Sequence, residues 1–230
     1  MKILVTGGTG YIGSHTVVEL QAKGFEVIIV DNLSNSSIDV LDNISKISGK
    51  KPLFEKFDLT DQEKTAAFFK LHNDISAIIH FAAFKAVGES VDYPLMYYRN
   101  NLGSLINILQ GMMDNNIRDI VFSSSCTVYG QPEQLPVRED SPVLKAVSPY
   151  GNTKQISEEI ITDTSINANI HATLLRYFNP IGAHETAIIG ELPIGVPNCL
   201  MPYITQTAIG KRPYLRVWGD DYDTPDGTAI

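Results

Sequence analysis

The fold class predicted by the sequence is α/β: a doubly wound parallel sheet joined to an incomplete smaller region. Three features predict it. Short β-branched runs alternate with helix-length periodic segments from the second residue onward. A glycine-rich turn joins the first run to the first helical segment. From about residue 179 the alternation gives way to a stretch punctuated by Pro180, Pro193, Pro197, Pro202 and Pro213. Strand–helix alternation of this kind calls for parallel strands linked by right-handed crossovers, with ligands gathered outside the carboxyl ends of the strands.

The elements follow in order. Residues 2–6 form a short apolar run closed by glycines, and residues 11–23 carry Ile12, Val17, Val18 and Leu20 at helical spacing before the stop at Gly24. Residues 26–31 are a second strand, 38–47 a helix and 53–57 a third strand. Thr60-Asp61-Gln62-Glu63 has the capping-box pattern of a helix reaching Leu71. Residues 76–81 are an uninterrupted apolar strand of the kind buried on both faces. A loop follows, then a helix over 94–113 with proline in its tolerated first turn. Residues 119–123 are the fifth strand, Ser148-Pro149 opens a helix to about 164, and residues 171–176 are the sixth strand. The expected division is a cofactor domain over 1–178 and a partial substrate-binding region over 179–230.

Composition excludes several function classes. The 230 residues are 43% hydrophobic and 19% charged with no long charge run, which is a globular rather than a disordered balance. Eighteen basic against 26 acidic residues, a net charge of −8, gives no basic face for a phosphate backbone, so nucleic acid is not an expected partner. No apolar run has the ~18 residues of a membrane span, and the first strand is too short for a signal peptide. No membrane partner is therefore expected, and the expected location is cytoplasmic. Cys126 and Cys199 are too few for a disulfide framework, and the histidines at 15, 72, 80, 171 and 184 show no ligand spacing, so no metal is expected.

The turn Gly7-Gly8-Thr9-Gly10-Tyr11-Ile12-Gly13 satisfies Gly-x-Gly-x-x-Gly between a strand and a helix. That chemistry needs glycine for a tight turn, for close approach of backbone to a pyrophosphate, and for helix–sheet packing; the helix amides then face the phosphates. Asp31 closes the second strand, where a carboxylate binds adenosine ribose hydroxyls and repels a 2′-phosphate. The expected cofactor is therefore NAD, on a Rossmann-type sheet. Tyr150 and Lys154 stand four residues apart on one helix face. A phenol with a pKa near 10 is a poor base at neutral pH; a neighbouring ammonium and the positive charge of oxidised nicotinamide are expected to lower it. Ser123-Ser124-Ser125, at a strand end, can bring a hydroxyl to the same place. Cys126 has no histidine nearby in sequence and reads as a packed thiol.

These segments, with residues 80–90, 123–130 and 175–180, resemble the extended short-chain dehydrogenase/reductase family, and within it the UDP-hexose 4-epimerases, over essentially the whole chain. The resemblance implies an isomerase of galactose metabolism that keeps NAD bound and regenerates it in each turnover. Tyr150 would take the sugar C4 hydroxyl proton while hydride leaves C4, and the 4-keto sugar would turn over before hydride returns to its other face. Ser125 would hydrogen-bond the C4 oxygen, and Lys154 would hold the nicotinamide ribose and tune Tyr150. The resemblance places Gly7, Gly10, Tyr11, Ile12, Gly13, Asp31, Asn32, Leu33, Asn35 and Ser36 on the adenosine diphosphate half of the cofactor. It puts Asp58 and Leu59 beside adenine, and Phe81, Ala82, Ala83, Lys85, Asn100 and Phe178 along the rest. Asn179, Cys199 and Leu200 would contact a UDP-sugar substrate, with Arg216, Val217 and Trp218 near uracil.

Cys199 stands where the family carries a carboxamide, a stronger hydrogen-bonding group than a thiol. Arg216 and Trp218 also depart from the family's residues. The family continues well past Thr228, so the chain as it stands is expected to bind NAD with weak or absent turnover. The helices over 94–113 and 149–164 are long enough to pair across a two-fold axis, as the family's do, so a homodimer is expected. Two other readings stay open: another nucleotide-sugar epimerase or dehydratase of the same superfamily, and an inactive NAD-binding fragment. Cys126 and Thr127 stand where dehydratases carry acids and cannot serve as general acids, while Tyr150 and Lys154 would be needless in a regulator.

Overall fold

A computed structural model describes residues 1–197, 199–217 and 219–228. The chain divides into two compact units, Met1–Glu191 and Leu192–Ile230. The first holds six strands, β1 (Lys2–Thr6), β2 (Glu26–Asp31), β3 (Leu53–Lys56), β4 (Ile75–His80), β5 (Asp119–Ser125) and β6 (His171–Tyr177). They pair in parallel in the order β3-β2-β1-β4-β5-β6. The order reverses direction between β1 and β4, and the crevice above such a switch point is where sheets of this class hold ligands.

The alternation along each strand explains the layers. Ile3, Val5, Val27 and Ile29 face one side and pack with Val17, Val18, Leu41 and Ile44 of α1 (Tyr11–Ala22) and α2 (Asp39–Ser48). Leu4, Ile28, Val30, Ile78, Ile120 and Phe122 face the other. There they meet Phe68, Leu105, Ile108 and Ile161 of α3 (Gln62–Leu71), α5 (Pro94–Asp114) and α6 (Pro149–Ala168). Burying each such side chain contributes roughly 1.5–3 kcal/mol, so the two faces of the sheet, rather than its loops, supply the scaffold's stability.

Several elements differ from the sequence expectations. The stretch after β4 contains α4 (Val87–Asp92), one and a half turns and too short to show periodicity. Helix α3 is capped by Asp61, whose carboxylate accepts from the Lys64 amide at 3.0 Å, while Thr60 hydrogen-bonds Asp58. Helix α6 runs past 164 and ends where Asn169 adopts the left-handed conformation. The first unit also runs beyond residue 178: Ala183 bridges Gly190, Ile189 is buried in the α1–α2 core, and Tyr11 Oη donates to the Gly182 carbonyl at 2.7 Å. In the second unit the loop-rich reading gives way to α7 (Leu200–Ala208) over part of its length.

Candidate active site at the carboxyl ends of the strands

The turn after β1 is shaped by what it excludes. Gly7 lies at φ +67, and a Cβ there would come 2.8 Å from the Ala82 nitrogen, so the β1 and β4 loops touch through bare backbone. A Cβ on Gly13 would overlap the Gly7 carbonyl oxygen, which lets α1 start directly against the turn. Gly10 caps α1 without a side-chain hydrogen bond, and the first helical turn, which includes Ile12, carries no acidic residue. Its amides and the positive end of the helix dipole therefore suit an anion.

After β2, the Asp31 carboxylate accepts from the amides of Leu33 (2.9 Å) and Thr9 (3.3 Å) and from the Ser36 hydroxyl (3.4 Å). These bonds hold Leu33 at φ +61, a conformation that costs a branched L-residue roughly 1 kcal/mol or more. Asn35 is exposed in the same loop, and Asn32 donates to Asp58 at 3.1 Å. Burial raises the Asp58 carboxyl, but the Thr60 hydroxyl and amide and the Asn32 amide outweigh it, and the group sits below the ordinary carboxylate range. Leu59 belongs to the hydrophobic core. After β4, Phe81 and Ala82 donate their amides to the Thr6 carbonyl and hydroxyl, with Ala83 next along the same loop. Lys85 lies 3.6 Å from Glu191. Phe178 and Asn179 follow β6 and are exposed.

Ser125 ends β5, and Tyr150 and Lys154 occupy the first turns of α6, whose start is fixed by Ser148 accepting from the Gly151 amide. The Ser125 hydroxyl accepts from the Thr127 amide and hydroxyl at 3.2 and 3.0 Å. Burial pushes the Tyr150 hydroxyl above its ordinary value; the Ser125 hydroxyl pulls it back and Cys126 adds to the rise. The sequence expectation that Lys154 lowers the phenol is not met. Its ammonium donates to the Ser123 carbonyl at 2.6 Å and lies 5.9 Å from the Tyr150 ring centre and 4.7 Å from that of Phe122. Burial brings Lys154 itself down to about 8, against an opposing pull from Glu158. Ser125, Tyr150 and Lys154 thus meet above the same strand ends as the glycine turn. Burial thus favours the neutral phenol, and the serine is placed to share an oxygen with it.

Three supports carry no local sequence signal. Buried Asn101 of α5 accepts from the Phe84 amide at 2.8 Å and donates to the Phe84 carbonyl at 3.0 Å and to the Thr153 hydroxyl at 3.1 Å. Thr153 in turn donates to the Tyr150 carbonyl, so Asn101 ties the β4 loop to the helix bearing Tyr150. Asn100, which sequence reasoning favoured, donates to Asn101. His80 is buried against Thr6, 2.7 Å from its hydroxyl, and burial depresses it to about 3, so it is a neutral structural group. Glu158 and Arg176 form a buried pair.

The remaining sequence-predicted residues lie in the second unit. Cys199 caps α7, Leu200 is its exposed first residue, Arg216 bonds Tyr214 Oη at 3.0 Å, and Val217 is exposed. Trp218 lies outside the described residues. Among the described residues no group of three or more His, Cys, Asp or Glu could hold a metal ion.

The sequence profile of the NAD dependent epimerase/dehydratase family matches residues 3–223. A UDP-glucose 4-epimerase of Schizosaccharomyces pombe is 52% identical over 233 residues, covering 99% of this chain and 65% of that protein. The UDP-glucose 4-epimerase of Bacillus subtilis is 52% identical over 231 residues, covering 100% and 68%. Among solved structures, the UDP-glucose-4-epimerase from Stenotrophomonas maltophila, with bound NAD and formylated UDP-arabinopyranose, has a TM-score of 0.94 at 48% identity. It covers 99% of this chain, which covers 68% of it. The Bifidobacterium longum enzyme, in complex with NAD+ and UDP, has a TM-score of 0.95 at 45% identity, with the same coverage. The chain spans about two thirds of the length of these relatives.

Proposed function

The chain belongs to the NAD dependent epimerase/dehydratase family, and from that premise we propose that it is the cofactor-bearing part of a UDP-hexose 4-epimerase that interconverts UDP-glucose and UDP-galactose. The observation that carries this reading is the meeting of Ser125, Tyr150 and Lys154 above the strand ends that also bear the glycine turn. NAD fits the residues present. A Cβ at Gly7 or Gly13 would press into the turn, Gly10 opens α1 without a side-chain cap, and Asp31 stands at the end of β2. Gly7, Gly10, Tyr11, Ile12 and Gly13 would hold the pyrophosphate, Asp31 to Ser36 with Asp58 the adenosine, and Phe81 to Lys85, Asn100 and Phe178 the remainder. When bound, NAD would supply reversible hydride acceptance and the positive charge of its oxidised nicotinamide.

The chain's own residues then divide the work. Tyr150 takes the C4 hydroxyl proton of the sugar and later returns one to the C4 oxygen. Ser125 hydrogen-bonds that oxygen, so the alcohol and the 4-keto sugar are held alike. Lys154, fixed by the Ser123 carbonyl, contributes positive charge and a donor to the nicotinamide ribose. This reading also assigns Asn179, Cys199, Leu200, Arg216 and Val217 to the UDP-sugar. The same reading takes residues 1–178 as the NAD-binding domain and 179–230 as part of the substrate side, in a cytoplasmic homodimer paired through α5 and α6. Supporting the dimer, Leu95, Ile106 and Met113 of α5 are 65%, 51% and 49% exposed. Supporting the location, no helix among the described residues is long and apolar enough to cross a membrane.

The experiment is a coupled assay of UDP-galactose conversion with parallel measurement of bound NAD. Tyr150→Phe is expected to keep the cofactor and to lower turnover by at least about 100-fold, the usual contribution of a positioned acid–base group. A cofactor-loaded protein that makes no UDP-glucose, even on the full length of its gene, overturns the assignment.

A further inference from the structure

Lys154 sits in a place hostile to its charge. It is only 4% exposed, lies over the Phe122 ring, and spends a hydrogen bond on the Ser123 carbonyl. One turn further along the same buried face of α6 lies Glu158, itself 8% exposed. Its carboxylate is fixed from three directions. Ser124 Oγ donates to Oε1; Arg176 Nε donates to Oε1 at 3.0 Å and Arg176 Nη2 to Oε2 at 2.7 Å. The guanidinium is anchored in turn by the Tyr129 ring, 4.8 Å from its centre, and by the Glu139 carbonyl. Ser123, Ser124 and Ser125 therefore meet, in succession, the lysine, the carboxylate and the Tyr150 hydroxyl.

We propose that Glu158 is a positioning residue for Lys154: held rigid by Arg176 and Ser124, it is the counter-charge that keeps the desolvated ammonium protonated beside Tyr150. A strut between α6 and β6 would serve packing alone and could be apolar, since buried ion pairs are often replaceable by well-packed hydrophobic residues. A carboxylate one helical turn from a buried ammonium does more, because charges i and i+4 on one face are neighbours in a medium of low dielectric. The other groups facing the lysine do not supply that charge. On β4, His80 is neutral; on α6, Tyr150 is a protonated phenol; on β5, Ser123 offers a carbonyl. Beyond Glu158, Arg176 of β6 is a cation paired with that carboxylate. Tyr97 of α5 and Cys126 face Tyr150, and Tyr97 is bonded to Glu89.

The proposal rests on the reading of Tyr150 and Lys154 as the reacting pair, but its test reads the lysine directly and needs no turnover. Lysines labelled with 13C at Cε are titrated by NMR in the 230-residue chain, with Lys154→Arg identifying the resonance. The wild-type midpoint is expected near 8. Glu158→Gln removes the counter-charge and leaves Arg176 repelling the ammonium, so the midpoint falls by about one pH unit, a tenfold change in acid constant. Arg176→Gln frees the carboxylate, so the midpoint rises. Opposite shifts support the positioning role, because loss of packing alone would move both variants in one direction or neither. Shifts of the same sign, or none, overturn it. If circular dichroism shows Glu158→Gln unfolded, Glu158→Asp, with its charge withdrawn by one methylene, is expected to give a smaller fall, and an unmoved midpoint there overturns the proposal.

Discussion

On the β1–β2–β3 side of the sheet the candidate site is made of backbone, and on the β4–β5–β6 side it is made of buried polar side chains. Gly7 and Gly13 fit only because nothing projects from them, and Asp31 spends its carboxylate on the amides of Leu33 and Thr9. Across the switch point, side-chain bonds of Asn101, Lys154, Glu158 and Arg176 tie together the residues flanking Ser125 and Tyr150, across α5, α6, β5 and β6. The first side must present donors to phosphates that can be matched by amides of fixed geometry. The second must move a proton, which requires groups whose charge depends on their surroundings. One half is therefore sensitive to added atoms and the other to lost partners.

The strongest way to break that contrast is Gly13→Val. Its Cβ would overlap the Gly7 carbonyl oxygen and crowd the Gly8 Cα, backbone atoms that cannot rotate away. We expect at least about 3 kcal/mol of destabilisation in urea unfolding, the upper end for overpacking, together with loss of NAD binding. A valine variant that binds NAD as tightly as the parent would show that the turn is not held by close approach. A smaller effect of the opposite kind is expected from Asn101→Ala. It strips the Phe84 amide and carbonyl of their partner and costs about 1–3 kcal/mol, because buried groups left unsatisfied carry their full desolvation penalty. If the protein unfolds in urea at the parent's midpoint, the side-chain half is less dependent on its polar ties than its geometry implies.

The same contrast explains what could be read without the structure. The glycine turn, Asp31 and the Tyr150–Lys154 spacing are local patterns, each complete within a few residues of a strand end or helix start. The ties of the other half join residues 17 apart for Asn101 and Phe84, 34 for Ser124 and Glu158, and 74 for Thr6 and His80. No periodicity encodes such pairs. The Lys154 ammonium does not lower the Tyr150 pKa for this reason: its partner, the Ser123 carbonyl, lies 31 residues away on β5. Ile189, beyond the expected boundary at 178, is buried in one cluster with Val5 and Val17, far back in the chain, a pairing no local pattern encodes.

The last test separates the two halves by pH rather than by volume. His80 closes β4 between them, 5.9 Å from the Phe122 ring that also carries Lys154, with Nδ1 against the Thr6 hydroxyl. Burial first, and then the Lys154 charge, depress its pKa from 6.5 to about 3. The unfolded chain therefore binds a proton below pH 6.5 that the folded chain refuses until about pH 3. The stability contributed by neutral His80 is fully present above pH 6.5 and is lost as pH falls towards 3, with a slope of about 1.4 kcal/mol per pH unit. In His80→Gln that slope is removed while Thr6 can still donate to a side-chain oxygen. The variant is expected to be close to the parent in stability at pH 7, and the parent should lose ground to it steadily between pH 6 and pH 4. Paired urea titrations across that range check this, since the carboxylates contribute equally to both proteins and cancel. Parallel pH profiles would place His80 in contact with solvent protons and overturn the reading of it as a buried neutral group.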